Sequence, residues 1–219
     1  MVSIQYYDSH WCGGVFVTRR HILTAAHCLA IVNSKTNRVE LHNKDNLSVK
    51  SGSSNWRYPR YVHTIEKFVI HPQYTGTPPK NLHDIGIVIL TKYIFLDATQ
   101  NIIRLPSSYT MGGSRGTVLG WGYLKEKAGS VTDRLQKAPV TTLSHEECLR
   151  RAPTPIERSH LCGLSSKGSG FCDGDSGSPL ISNGQVIGIV SMGWECGHGQ
   201  PDIYTRVHSY YSWIYSVIN

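Results

Sequence analysis

Two short apolar runs constrain the fold of this chain more than any other feature. "DIGIVIL" at 84–90 and "QVIGIVSM" at 185–192 are rich in β-branched residues and short for packed helices, and they suit strands covered on both faces. In "VSIQYY", Val2, Ile4 and Tyr6 alternate onto one face of a further strand. Turn clusters separate such runs: "KSGSSN" at 50–55, "GTPPKN" at 76–81 and "MGGSRG" at 111–116. That rhythm, in a chain with 21 glycines and 10 prolines, predicts an all-β barrel or sandwich. Helical signals are few. Ser144 and Glu147 form a capping box for a short helix that Pro153 must end. Ser209 is expected to cap a C-terminal helix whose Tyr210, Trp213, Ile214, Val217 and Ile218 share one face and dock onto the barrels. The best internal boundary is "RLPSS" at 104–108, dividing 1–105 from 106–219.

A chain of 219 residues buries a sizeable core without a metal or partner. No run approaches the ~18 apolar residues of a membrane helix, and no membrane partner is expected. The formal charge of +7 is spread along the chain, with only short pairs such as Arg19-Arg20 and Arg150-Arg151. This describes a solvated basic surface, and a nucleic-acid or heparin partner would rest on net charge alone. Six cysteines with no zinc-knuckle or Cys-x-x-Cys spacing favour disulfides and an oxidising compartment over six buried thiols. The sequon Asn46-Leu-Ser48 agrees with a secreted protein. The first residues, "MVSIQYYDSHWCGG", lack the basic and apolar regions of a signal peptide and read as the inside of a domain. The polar stretch from Asn33 to Tyr61 has no spacing that demands a metal, and neither metal nor cofactor is expected.

The chemistry begins at "LTAAHC", residues 23–28. Alone, His27 at the end of an apolar strand reads as a hydrogen-bonded core histidine. Its company changes that. A serine nucleophile needs a neighbouring base, and the base needs a carboxylate to fix its tautomer. "HDIGIVIL" supplies Asp84 at the mouth of a strand, and "GDSGSP" supplies Ser176 between glycines.

With "CGG", "LTAAHC", "HDIGIVIL", "GWG", "GDSGSP" and "PDIYTRV" in order, the whole chain resembles the trypsin/chymotrypsin-type serine endopeptidases, and in particular arthropod-like chymotrypsin-type members. The resemblance implies two six-stranded antiparallel β-barrels with a C-terminal helix, together one peptidase domain. His27 and Asp84 would come from the first barrel, and Ser176 and the primary pocket from the second. It implies disulfides Cys12–Cys28, Cys148–Cys162 and Cys172–Cys196, one choice among fifteen pairings. Ser176 would attack the scissile carbonyl, His27 would relay the proton, and Asp84 would orient His27. The N–H groups of Gly174 and Ser176 would receive the oxyanion. Ser191 aligns with the serine that supports the triad acid, and Ser191, Met192 and Gly193 with the edge that pairs with extended substrate. Partners implied are a protein or peptide substrate and protein inhibitors of proteases, acting on a secreted monomer.

The pattern breaks in the primary pocket. Where trypsin-like members carry an aspartate on the pocket floor, this chain has Gly170, followed by Phe171, while Asp202 stands where a glycine lines the same pocket. An inward Asp202 would select Lys or Arg at P1. A floor covered by Phe171, with Met192 as further apolar wall, would select aromatic or aliphatic residues, and this chymotrypsin-like preference is the favoured expectation. A partner-binding homologue without catalysis is the contrasting class, and such proteins usually lose a triad residue that this chain retains. Ser178 replaces the family's usual glycine in "GDSGSP" and is expected to be tolerated. Finally, Asp175 matches the aspartate that pairs with a new α-ammonium after an activation peptide is cut. The usual Ile-Val-Gly-Gly start is not in the sequence, so Met1 is expected to be internal to a longer precursor, and these 219 residues alone to be zymogen-like.

Overall fold

A computed structural model of the chain describes residues 1–76, 81–194 and 196–219; of the turn cluster expected at 76–81, residues 77–80 lie outside the described residues. Strands dominate it. β1 (Val2–Tyr6) and β2 (Ser9–Phe16) form a hairpin whose loop residues, Tyr7 and Asp8, both have positive φ, the twist that matches a two-residue turn to its strands. β3 (His21–Thr24) follows, then a small ribbon of β4 (Ala30–Val32) and β5 (Val39–Leu41). β6 (Leu47–Ser51), β7 (Tyr61–His63), β8 (Ile65–Ile70) and β9 (Gly86–Leu90) complete a sheet in the order β7-β6-β1-β2-β3-β9-β8.

This first barrel shows seven ladder segments where six strands were expected. The reason is a bend. β7 and β8 are separated by Thr64 alone, and they pair in opposite directions around the sheet, β7 with β6 and β8 with β9. One continuous stretch thus turns a corner and closes the sheet through the covalent chain. The second half gives β10 (Arg115–Gly120), β11 (Gln136–Thr142), β12 (His160–Leu164), β13 (Pro179–Ser182), β14 (Gln185–Met192) and β15 (Asp202–Arg206), closed in the order β10-β11-β12-β15-β14-β13.

Burial follows the sheets. Every residue of β9 is buried, as a run covered on both faces should be, and β14 is buried apart from its two ends. In β1 Val2 and Ile4 are buried, and Ser3 and Gln5 on the opposite face are buried as well, covered by His10 and Trp56. Helix α1 (His145–Arg151) has Ser144 accepting the Glu147 N–H and stops at Ala152. Helix α2 (Tyr211–Ile218) corrects one expectation. Ser209 lies inside a 3-10 turn, Val207–Tyr210, that runs directly into α2, so the helix needs no serine cap. Val207, Tyr210 and Ile214, together with Val186 and Ile189 of β14, pack into the same apolar cluster as Ile22, Leu23, Ile87 and Leu90 of the first sheet. The C-terminal segment therefore fastens the two barrels together.

Candidate active site

The site grows from the pairing of β3 with β9. Thr24 lies opposite Gly86, so the chain leaving β3 and the chain entering β9 meet at one end of the sheet. His27 is in the 3-10 turn Ala26–Cys28, pinned to β2 by the Cys12–Cys28 disulfide. Asp84 is fully buried and engaged by donors. Its Oδ1 accepts the His27 backbone N–H at 2.9 Å, and its Oδ2 faces His27 Nδ1 at 2.8 Å and accepts the Ser191 hydroxyl at 2.6 Å. An ionised carboxylate forces Nδ1 to carry the proton, leaving Nε2 as the basic nitrogen. Burial pulls the His27 pKa down, but the charge of Asp84 and its hydrogen bond outweigh that and hold it above the ordinary histidine value.

Ser176 stands on a turn that only glycines can make. Gly174 and Gly177 have φ of +90° and +75°, and a Cβ on Gly177 would meet Thr24 Oγ1 at 2.2 Å and Cys28 Sγ at 3.1 Å. The serine turn thus lies directly against the histidine loop. Gly13 N–H, beside Cys12, donates to Ser176 O at 2.7 Å and ties the two barrels at this point.

Asp175 bonds to the backbone on its own barrel. Its Oδ1 accepts Gly122 N–H at 2.7 Å and its Oδ2 accepts Cys172 N–H at 2.9 Å. The glycines of "GWG" make room for it, since a Cβ on Gly120 or Gly122 would fall 1.8 or 2.3 Å from its oxygens. Burial pushes its pKa up to about 6 against the pull of those two N–H donors, and Asp173 adds to the rise. A cavity of about 170 Å³, bordered by Gly122, Tyr123, Gly168 and Gly170, reaches this carboxylate.

Beside Ser176 lies a cavity of about 150 Å³ lined by Phe171, Asp173, Ser191, Met192, Gly193 and Trp194, among others. Phe171 forms part of its wall. The ring meets Tyr204 edge-on at 5.4 Å between centroids, and a Cβ on Gly193 would fall 2.8 Å from Phe171 Cε2. Asp202 lies against the backbone of the same segment: its Oδ2 accepts the Phe171 N–H at 3.3 Å and would clash with any Cβ on Gly170 at 2.7 Å. It is not among the residues lining the cavity. Burial pushes its pKa up to about 7; the Phe171 N–H opposes this and Asp175 reinforces it.

These features coincide with a known lineage. The family model described as Trypsin matches residues 1–214. The chain belongs to the trypsin family. It is 32% identical to trypsin beta of Drosophila erecta over 217 residues, covering 97% of this chain and 81% of that one. It is also 32% identical to chymotrypsin-2 of Vespa crabro, covering 94% and 88%. Among solved structures, neuropsin, a serine protease expressed in the limbic system of mouse brain, superposes with a TM-score of 0.87 at 28% identity, covering 100% of this chain and 93% of that one. The protein is a trypsin-family serine endopeptidase.

Several residues that serve this trypsin-family site escape a motif reading. Thr205 Oγ1 donates to the Asp84 backbone carbonyl at 2.6 Å, and Asn81 Nδ2 lies 3.3 Å from Asp84 Oδ2. His10 Nε2 lies 2.9 Å from the Gly174 carbonyl, across the two barrels, while its Nδ1 lies 2.8 Å from Ser3 Oγ, which accepts from Gln5 Nε2 at 3.4 Å. Only one tautomer satisfies that chain: Nε2–H donates to the carbonyl, and the Ser3 hydroxyl donates to Nδ1. Burial lowers the His10 pKa to about 4 against the pull of the Gly174 bond, so the ring is neutral at neutral pH. The buried Ser3 and His10 were a sequence signal, since polar residues in strands flanking "CGG" must find partners. Ser178 Oγ has no hydrogen-bond partner among the described residues and occupies the space that a side chain at Gly13 would need.

Proposed function

We propose that this peptidase cleaves after apolar P1 residues through an acyl-enzyme on Ser176. The observation that carries the specificity is the Phe171 ring, which spans from Tyr204 to Gly193 and leaves Asp202 outside the cavity. A slot of about 150 Å³ bordered by Phe171 and Met192 suits Leu, Met or a single aromatic ring; Asp202 is not on its wall, and the one carboxylate that borders it among the described residues is that of the exposed Asp173. In the reaction, Ser176 Oγ attacks the scissile carbonyl as its proton passes to His27 Nε2. Asp84 stabilises the imidazolium, and the same proton then goes to the leaving amine. Water repeats the cycle on the ester. The N–H groups of Gly174 and Ser176 receive the negative charge of each tetrahedral intermediate. Extended substrate pairs with the Ser191–Gly193 edge, and protein inhibitors of proteases bind there by imitating it.

A panel of peptide amides differing only at P1 tests this reading: kcat/KM for Leu and Phe is expected to exceed that for Arg by at least tenfold. A hundredfold preference for Arg would overturn it and place Asp202 in the pocket. Phe171→Gly offers an internal control, because opening the floor toward Asp202 should raise relative cleavage after Arg.

Asp175 has a part in the same reading as the acceptor for an α-ammonium released by cutting a longer precursor. The cavity beside Gly120 and Gly122 supports this, since it gives a cation access to a buried carboxylate held only by backbone N–H groups among the described residues. Three disulfides and relatives named as trypsins and chymotrypsins support a secreted protein.

A further inference from the structure

We propose that Asn81 is a positioning residue for the catalytic acid, its side-chain amide donating to Asp84 and thereby tuning the basicity of His27. This rests on the reading of His27 and Asp84 as the base and its orienting carboxylate. Asn81 and His83 have φ of +41° and +58°, with Leu82 between them, and Asp84 comes next. L-residues avoid that region, asparagine least strongly, and two such residues this close mark a turn that its surroundings hold in place. Contacts at both ends hold it. The His83 ring stacks on His71 at 4.7 Å between centroids, within 10° of parallel, and its Nδ1 lies 3.2 Å from the Tyr210 hydroxyl, just ahead of α2. At the other end, Asn81 Nδ2 donates to Asp84 Oδ2 at 3.3 Å and reaches Ser191 Oγ at 3.5 Å.

The Asp84 side chain thus has donors from His27 N–H, His27 Nδ1–H, the Ser191 hydroxyl and the Asn81 amide, on a group with no solvent exposure. Each donor stabilises the ionised carboxylate and weakens its hold on the imidazolium. Removing the Asn81 amide strengthens the carboxylate's hold on the imidazolium and raises the apparent pKa of His27. The other titratable groups near this carboxylate do not share that transition. Burial raises the pKa values of Tyr74 and Tyr210 and lowers those of His71 and His83, while His27 is raised. Asp175 and Asp202, raised by burial to about 6 and about 7, titrate in the same window but have no hydrogen bond to Asn81 among the described residues, so it is the displacement of the acid limb between parent and variant that reports the His27–Asp84 pair.

The test compares the active peptidase with Asn81→Gly and Asn81→Asp. Glycine adopts the left-handed conformation freely, so Asn81→Gly removes the amide without straining the turn. Asn81→Asp replaces the donor with a second negative charge. Activity on one peptide substrate is measured from pH 5 to 9, with active sites counted by fluorophosphonate titration. For Asn81→Gly, kcat is expected to fall by about fivefold with KM within about twofold, and the acid limb of kcat/KM to move up by a few tenths of a pH unit. For Asn81→Asp the limb should move up further, by about one unit. An Asn81→Gly acid limb that coincides with the parent's overturns the proposal even if kcat falls, because a merely structural role would lower the rate without moving the limb. A parent that neither hydrolyses peptide nor labels refutes the underlying assignment of the triad.

Discussion

Asp175 gives the sharpest thermodynamic prediction. It is 8% exposed, and its pKa rises from 3.8 to about 6, so the folded chain binds its proton about two pH units more tightly than the unfolded chain. At about 1.4 kcal/mol per unit this is about 3 kcal/mol. The sign follows from proton binding: an acid with a raised folded pKa is at its most favourable below pH 3.8, and stability drains as pH rises toward 6, levelling off above. His10, depressed to about 4 from 6.5, works in the opposite direction across an overlapping window, and Asp202 works in the same direction up to about 7. The parent profile alone therefore mixes these three with the other shifted histidines, His27, His71 and His83 among them. The difference between the parent and Asp175→Asn isolates one of them. The amide loses an acceptor for one of the two N–H donors, Gly122 or Cys172, at a cost that does not depend on pH. Denaturant unfolding at pH 4 and pH 7 should show the stability of Asp175→Asn rising relative to the parent by about 3 kcal/mol over that interval. A difference independent of pH would refute the reasoning. In a processed enzyme with an α-ammonium on Asp175, the trend should reverse, since the ionised carboxylate is then the favoured form.

Two further perturbations probe the serine turn. His10→Phe keeps the buried ring but removes the donor to Gly174 O, and it should lower kcat by tenfold or more with little change in KM; affinity for a peptide aldehyde, which mimics the tetrahedral adduct, should fall in parallel. Gly13→Ala places a Cβ 2.1 Å from Ser178 Oγ and should destabilise the fold by about 1–3 kcal/mol, and most of that loss should disappear in a Ser178→Gly background, as unfolding of the four chains would reveal.

Much of this was legible in the residues, for physical reasons that differ from place to place. The apolar runs around Ile85–Leu90 and Val186–Val190 announced buried strands because nothing but two covered faces accommodates them. His27, Asp84 and Ser176 stood out as candidates through their company, each motif carrying its own glycine or disulfide neighbour, and the structure joins His27 to Asp84. Packing geometry was not legible. Whether Phe171 or Asp202 faced the cavity depended on the ring reaching Gly193, a contact 22 positions along the chain that no local pattern encodes. The bend at Thr64 was hidden because no glycine or proline marks it in "YVHTIEKF". Ser209 looked like a cap because a 3-10 turn running into a helix carries the same residue types as a true helix start. Asn81 escaped because its role depends on a left-handed turn, and asparagine before a strand reads as punctuation.

The central claim is that Ser176 is a nucleophile activated by His27. Treating the processed protein with a fluorophosphonate and mapping the adduct by mass spectrometry tests it directly. One covalent adduct on Ser176 is expected, with loss of peptide hydrolysis in step with labelling, and neither labelling nor hydrolysis in Ser176→Ala or His27→Ala. A folded, correctly processed protein that hydrolyses peptide while Ser176 stays unmodified would contradict it.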